Sequence, residues 1–179
     1  FNMVIESILE QMLNTISSDV DITYLCIGTD RATGDALGPI VGTMLTYHGL
    51  KVCGTIENPV HGLNLDQYEI RFKQNKPQHI VAIDACIGLY EDIGVVKFKT
   101  QGLRPGAGAG KNFPRMGDTS IIGIVESNNI AVHECRLYEI LEMAQDIVDT
   151  ILEFEKIRAR NKRKISHIFK RIIGLQNSN

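Results

Sequence analysis

An aspartate at the end of a strongly apolar segment is the residue of this sequence best suited to chemistry. Asp84 closes the run His-Ile-Val-Ala-Ile-Asp at residues 79–84, which has the near-continuous apolar character of a strand buried on both faces. Removing a carboxylate from water costs on the order of several kcal/mol unless the group is paired, exposed to a cleft or used. We therefore expect Asp84 to act in a cleft. The alternative is a carboxylate that only accepts backbone N–H bonds in a turn.

A second aspartate, Asp35, ends the polar turn of residues 29–35, which follows the apolar segment 22–28. It could cap the helix predicted to start at Asp35 or Ala36, and capping is compatible with a chemical role. Two carboxylates on neighbouring strand ends can share one proton, because two like charges a few Å apart cannot both ionise cheaply. One then acts as base and the other as acid toward a water molecule, which is hydrolytic chemistry.

Further polar side chains are expected in the loops around this pair. Asp30 lies in the first turn, and His61 lies in the loop 57–62, where it could position a water, bind a metal ion or only form hydrogen bonds. The glycine-rich segment 104–118 is expected to close over the cleft and grip a peptide, although flexibility alone also explains its glycines. Three charged residues of this segment are predicted to contact the substrate together with Asp30 and His61: Arg104, Lys111 and Asp118.

These residues must be positioned by strands that alternate with helices. Apolar spacing predicts strands over residues 22–28, 51–56, 79–86, 94–100 and 119–126, and helices over residues 4–16, 35–47, 63–75 and 132–152. This order predicts right-handed crossovers and a mainly parallel sheet with helices on both sides. Ligands of such sheets bind beyond the carboxyl ends of the strands, near the point where strand order reverses.

The charges are segregated along the 179 residues. All 21 acidic residues lie between Glu6 and Glu155, whereas eight of the 19 basic residues lie between Lys156 and Arg171. Residues 1–155 are predicted to form one α/β domain, which has 11 basic against 21 acidic residues and a net charge of −10. Nucleic acid is therefore not an expected partner.

Residues 156–179 are predicted to be a basic amphipathic tail. Spacing places five apolar residues on one helical face: Ile165, Ile168, Phe169, Ile172 and Ile173. Such a helix could dock on its own acidic domain or on a second copy, giving a homo-oligomer, or lie on an anionic membrane surface.

The composition also bears on the cellular setting. No apolar run approaches the roughly 20 residues that cross a bilayer, and acidic residues stand where a signal peptide would need a basic start, so we expect a cytoplasmic protein. The cysteines show no Cys-x-x-Cys spacing and are expected to be reduced thiols rather than zinc ligands. Neither a P-loop nor a Gly-x-Gly-x-x-Gly turn occurs, so nucleotide binding is not expected.

Five sequence blocks carry a family resemblance. They are Gly-Thr-Asp-Arg-Ala-Thr-Gly-Asp-Ala-Leu-Gly-Pro at 28–39, Asn-Pro-Val-His-Gly-Leu-Asn-Leu at 58–65, Ala-Ile-Asp-Ala-Cys at 82–86, Arg-Pro-Gly-Ala-Gly-Ala-Gly-Lys at 104–111 and Pro-Arg-Met-Gly-Asp at 114–118. In this order they resemble the blocks of the YyaC-type sporulation proteins and of their relatives, the spore germination proteases.

The resemblance implies a three-layer α/β/α fold, shared with hydrogenase maturation endopeptidases. It also implies an aspartic-type peptidase, because Asp35 matches the aspartate of the Asp-Ala-Leu-Gly-Pro segment of germination proteases and Asp84 that of their Ala-Ile-Asp-Ala segment. No resident cofactor is expected, but similar acidic loop positions bind nickel in the hydrogenase maturation enzymes, so the resemblance allows an adventitious or functional divalent ion at Asp35 and Asp84. One departure is Gly34, where the proteases have proline, so the loop geometry is expected to differ.

Together these observations predict a sporulation-associated peptidase of the cytoplasm or the developing spore. Asp35 and Asp84 would share a proton and activate water against a bond of a peptide or protein substrate. The alternative is a non-catalytic relative that uses the same cleft to bind a protein partner or a small ligand during sporulation.

Overall fold

The computed structural model describes residues 3–106, 113–127 and 135–176. The chain forms two compact units, one made of residues 21–148 and the other of residues 1–20 with 149–179. The boundary predicted at residue 156 and the division at residue 149 both lie within one uninterrupted helix of 40 residues.

Within the described residues, helices and strands alternate as the apolar spacing predicts. The helices are α1 Met3–Thr15, α2 Leu37–Tyr47, α3 Leu65–Asn75 and α4 Leu137–Gln176, and the strands are β1 Ile22–Cys26, β2 Val52–Cys53, β3 His79–Gly88, β4 Val96–Lys99 and β5 Thr119–Ser127. Two short 3-10 turns complete the list, Gly34–Ala36 and Tyr90–Asp92.

The strands form one sheet in the order β2-β1-β3-β5-β4. β1 pairs in parallel with β2 and β3, β3 pairs in parallel with β5, and β4 is antiparallel to β5. The predicted mainly parallel sheet is therefore confirmed. Strand order reverses between β1 and β3, which is where sheets of this type bind ligands.

Helices cover both faces of the sheet, which confirms the predicted three-layer arrangement. On one face Leu65 of α3 belongs to a buried cluster with Leu25 of β1 and Ala82 of β3. On the other face a side chain at Gly123 of β5 would overlap Leu37 of α2 and Met143 of α4. The glycine therefore lets both of these helices lie close against the sheet.

Two element boundaries differ from prediction for local reasons. Helix α2 begins at Leu37 rather than at Asp35 or Ala36, because the 3-10 turn Gly34–Ala36 precedes it. Strand β2 is limited to two residues because Gly54 has a φ of +95° and lies so close to the Cys26 carbonyl oxygen that a side chain there would overlap it. The chain bends at this glycine instead of continuing as a strand.

The second unit contains α1 and the part of α4 from residue 149 onward. Arg158 of α4 is only 7% exposed and donates hydrogen bonds to the Ser17 carbonyl oxygen at 3.2 Å and to the Glu155 carboxylate at 2.7 Å. Its guanidinium also lies 5.3 Å from the centre of the Phe154 ring. These contacts fix the chain that follows α1 against α4.

Candidate active site

Asp84 lies within β3, four positions before the strand ends at Gly88 and just beyond the last residue of β3 that pairs with β1. The Ile27 N–H donates to the Ile83 carbonyl oxygen at 2.8 Å, and pairing between the two strands ends there. Asp84 is the next residue of β3, still paired with Ile122 of β5. Because pairing with β1 ends one residue earlier, the partly buried Asp84 lies where strand order reverses, which is where sheets of this type bind ligands.

A closed loop brings Asp35 back to the end of β1. The Gly28 N–H donates to the Val60 carbonyl oxygen at 2.8 Å, and the Thr29 N–H donates to the Asp35 carbonyl oxygen at 3.1 Å. Gly28 has a φ of +137°, and a side chain there would overlap the Asp35 carbonyl oxygen. Only glycine therefore permits both this conformation and this close approach.

The capping role considered for Asp35 is not the one observed. Asp35 lies inside the 3-10 turn, and the residue that caps α2 is Ala36, which has no side-chain hydrogen bond to offer. Because the helix does not use its carboxylate as a cap, Asp35 is available at the same crevice as Asp84.

The two carboxyl groups are electrically coupled. Burial raises the pKa of Asp84 well above its ordinary value, and the negative charge of Asp35 raises it further. A hydrogen bond from the Ala85 backbone lowers this pKa, but by less. Burial also raises the pKa of Asp35, but a hydrogen bond from the Thr29 backbone and the nearby His61 oppose this effect. Asp35 therefore ionises first, while Asp84 keeps its proton to higher pH.

The loop after β2 holds His61 beside this pair. The His61 N–H donates to Asn64 Oδ1 at 2.9 Å, and Asn64 Nδ2 donates to the Pro59 carbonyl oxygen at 3.0 Å. His61 Nδ1 accepts the Leu63 N–H at 3.3 Å.

Asn64 and Thr29 are site residues that the sequence reasoning did not identify. The side-chain amide of Asn64 bridges the backbone groups of Pro59 and His61, and the backbone N–H of Thr29 bonds Asp35. The only available signal for Asn64 was an asparagine three residues after a loop histidine, a spacing typical of local side-chain-to-backbone bonding.

We expect Asn64→Ala to destabilise the protein by about 1–2 kcal/mol, because it removes two hydrogen bonds from a partly buried loop. Asn64→Asp keeps the acceptor for the His61 N–H and loses only the donor to Pro59, so its effect should be smaller. Urea denaturation of the three proteins measures the difference. Equal stability of Asn64→Ala and the parent chain would contradict the bridging role.

Two of the other predicted residues differ in position. Asp30 is exposed in the turn that follows Thr29, at the same end of the sheet as the pair. Asp118 lies at the opposite, amino end of the parallel strands, immediately before β5. Its Oδ2 accepts the Ile80 N–H at 2.7 Å, and its own N–H donates to the Ile80 carbonyl oxygen at 2.8 Å. Ile80 and Asp84 are four positions apart along the strand, roughly 13 Å at 3.3 Å per residue. We therefore leave Asp118 out of the site.

The glycine-rich segment 104–118 is attached at that same opposite edge. Strand β4 is antiparallel to β5, with Lys99 paired to Ser120, so the chain leaves β4 beside the amino end of β5. Arg104 is exposed next to Leu103, whose backbone pairs with Met116. Lys111 lies outside the described residues. The lid predicted over the cleft requires this segment to start at the carboxyl ends of the parallel strands, whereas the antiparallel direction of β4 makes it start at their amino ends.

The donor side chains around Asp35 and Asp84 decide whether a divalent ion could be held there. Within residues 3–106, 113–127 and 135–176 no group of three or more His, Cys, Asp or Glu side chains is arranged to hold a metal ion. Asp35 and Asp84 with their described neighbours therefore do not form such a set. The four cysteines are free thiols, and burial raises the pKa of Cys26.

Residues 2–150 match the family described as "Protein of unknown function (DUF1256)". The chain belongs to this family. It is 34% identical over 167 residues to "Uncharacterized protein YyaC" of Bacillus subtilis (strain 168), covering 89% of this chain and 81% of that protein. The resemblance to YyaC-type proteins is therefore confirmed. The DUF1256 match includes both aspartates of the pair and His61.

A solved structure is also similar to this chain. It is the NiFe hydrogenase maturation protease HybD from Thermococcus kodakarensis, with a TM-score of 0.48 and 14% sequence identity, covering 76% of this chain and 99% of that chain. Separately, no helix in the described part of the chain combines the length and the apolar character of a membrane span.

Proposed function

We propose that this protein hydrolyses peptide bonds with Asp35 and Asp84 as an acid–base pair. One observation carries the proposal: two partly buried carboxyl groups, one within β3 and one in the turn that follows β1, lie close enough for the charge of one to raise the pKa of the other. Such a pair holds a single proton over a range of pH, so one member is a base while the other is an acid.

The environments of the two groups assign their roles. Asp35, which the Thr29 backbone and His61 favour in its ionised form, accepts a proton from water as the water oxygen attacks the peptide carbonyl carbon. Protonated Asp84 gives its proton to the carbonyl oxygen, which forms a neutral tetrahedral intermediate. The intermediate collapses as Asp35 passes its proton to the leaving nitrogen and Asp84 recovers one from a hydroxyl. The products are a carboxylic acid and an amine, and the pair returns to its starting state.

The biological setting of the proposal rests on resemblance. The similarity to YyaC-type proteins and germination proteases supports a peptide or protein substrate and a place for the cleavage in sporulation, in the cytoplasm of the developing spore.

A proteome-derived peptide library incubated with the purified chain tests the proposal. Mass spectrometry should detect new termini, and the rate for the best peptide should be bell-shaped in pH. It should fall on the acid side as Asp35 gains a proton and on the alkaline side as Asp84 loses one. A chelator should leave the rate unchanged.

The same experiment can contradict the proposal. No cleavage by the folded protein at any pH between about 4 and 9 would favour the non-catalytic alternative, in which the cleft binds a partner. A rate that keeps rising at alkaline pH would rule out a protonated Asp84 as the acid.

A further inference from the structure

Helix α4 changes its charge abruptly along its length. Residues 137–155 contain six acidic and no basic residues, whereas residues 156–176 contain eight basic and no acidic residues. The family match ends at residue 150, so this basic stretch, residues 156–176, lies outside it. One continuous helix therefore joins two segments with opposite electrostatic character.

Burial changes at nearly the same place. The apolar residues Ile147, Ile151 and Phe154 are buried, and Arg158 is the last buried residue of the helix among those whose side chains are described. Every residue from 159 to 169 is exposed. The helix thus continues for three further turns with all its side chains in contact with solvent.

The exposed turns are amphipathic. Three large apolar side chains lie three and four residues apart, and so on one face: Ile165 (40% exposed), Ile168 (53%) and Phe169 (60%). The sequence continues the same spacing with Ile172 and Ile173. At 100° per residue, the opposite side carries four basic or titratable residues: Arg160, Arg163, Lys164 and His167.

We propose that the basic stretch binds peripherally to a membrane surface that contains anionic lipids. An apolar face backed by Lys and Arg without any carboxylate is the arrangement of helices that lie in the interface, with the apolar side chains inserted and the basic ones at the headgroups. Pairing of two such stretches from two copies would bring basic side chains together, so the charge favours the lipid. This inference does not depend on the proposed hydrolysis.

Vesicle co-sedimentation of the full chain tests the proposal. Binding to phosphatidylcholine vesicles containing one-third phosphatidylglycerol should exceed binding to pure phosphatidylcholine by at least about tenfold at low salt. Neutralising Arg163 and Lys164 with Arg163→Gln and Lys164→Gln should weaken it by roughly fivefold per residue. The triple variant Ile165→Ser, Ile168→Ser, Phe169→Ser should abolish it.

A matched control comes from the acidic part of the same helix. Leu141 is 47% exposed, much like Ile165, so Leu141→Ser removes a comparable apolar side chain without basic neighbours and should leave binding unchanged. Thermal melts should show all variants folded, because the changed residues are exposed.

Three results would overturn the proposal. The first is equal partitioning onto neutral and anionic vesicles, and the second is loss of binding in Leu141→Ser equal to that in the triple variant. The third is the absence of vesicle binding together with a self-association, seen by light scattering, that the triple variant abolishes. That outcome would identify the apolar face as a contact between copies.

Discussion

Asp84→Asn should lower the rate of peptide hydrolysis by a factor of about 100 to 10,000, the contribution of a positioned acid or base, and should at the same time raise stability at neutral pH. The amide cannot supply the proton that the carbonyl oxygen requires. It also carries no charge, so the variant avoids both the burial of a carboxylate and the repulsion from Asp35. Its Oδ1 can still accept the hydrogen bond from the Ala85 backbone.

The sign of the pH dependence follows from the raised pKa. The folded-state pKa of Asp84 lies above its ordinary value of 3.8, so between these two values the folded protein binds more protons than the unfolded chain. The stability contributed by Asp84 is therefore full below about pH 4 and is lost as pH rises through the folded pKa. Asn cannot titrate, so the variant should gain on the order of 1–3 kcal/mol at neutral pH and nothing below about pH 4.

Urea denaturation at pH 3.5 and pH 7 measures this gain, and turnover of the best peptide measures the loss of rate. Asp118→Asn is the matched control, since Asp118 is bonded to Ile80 at the other edge of the sheet and its amide oxygen can still accept that bond. It should leave the rate unchanged. An Asp84→Asn variant that is less stable than the parent at pH 7, or equally active, would contradict the coupled pair.

Gly28→Ala should be the most destabilising single change at the site, by about 3 kcal/mol or more. A methyl group at Gly28 would overlap the Asp35 carbonyl oxygen, and the φ of +137° is unfavourable for any residue with a side chain. The loop could accommodate the methyl only by moving Asp35 away from the end of β1, so hydrolysis should fall with stability.

Gly49→Ala separates strain from contact in this experiment. Gly49 also has a positive φ, +74°, but nothing lies within 4 Å of the added carbon. It should cost only the conformational penalty of about 1–2 kcal/mol and leave the rate unchanged. Stability is measured by denaturation. Equal losses in the two variants would show that overlap with the Asp35 carbonyl oxygen adds nothing to the cost of a side chain at Gly28.

Spacing predicts the architecture well where burial determines it. The run that contains Ile80 and Ile83 reads as a doubly buried strand, and it forms the centre of the sheet. Apolar spacing does not determine the direction of an edge strand. The alternation at Val96–Lys99 suits a parallel or an antiparallel edge strand equally well. The position expected for the glycine-rich segment depended on that direction.

The residues of the candidate site also differ in whether the sequence predicts them. Asp84 could be singled out because an ionisable group at the end of a buried strand is costly, and Asp35 because it follows the neighbouring strand. Asn64 could not, since its role lies in two bonds from its side chain to backbone groups, and these exist only once the loop has formed. Asp118 has the same residue type as the pair, and only the fold shows that it lies at the far edge.

Asp118 nevertheless influences the position of the Asp84 carboxyl group. Asp118 grips Ile80 through two hydrogen bonds, and this doubly tied junction anchors the alignment of β3 against β5. Successive residues of a strand point to opposite sides, so a slip of a single position would swing Asp84 from the side it shares with Ala82 to the reverse side of the sheet. Asp118 thus fixes the register of β3 and, through it, the side of the sheet on which the Asp84 carboxyl group lies, although it does not contact that group.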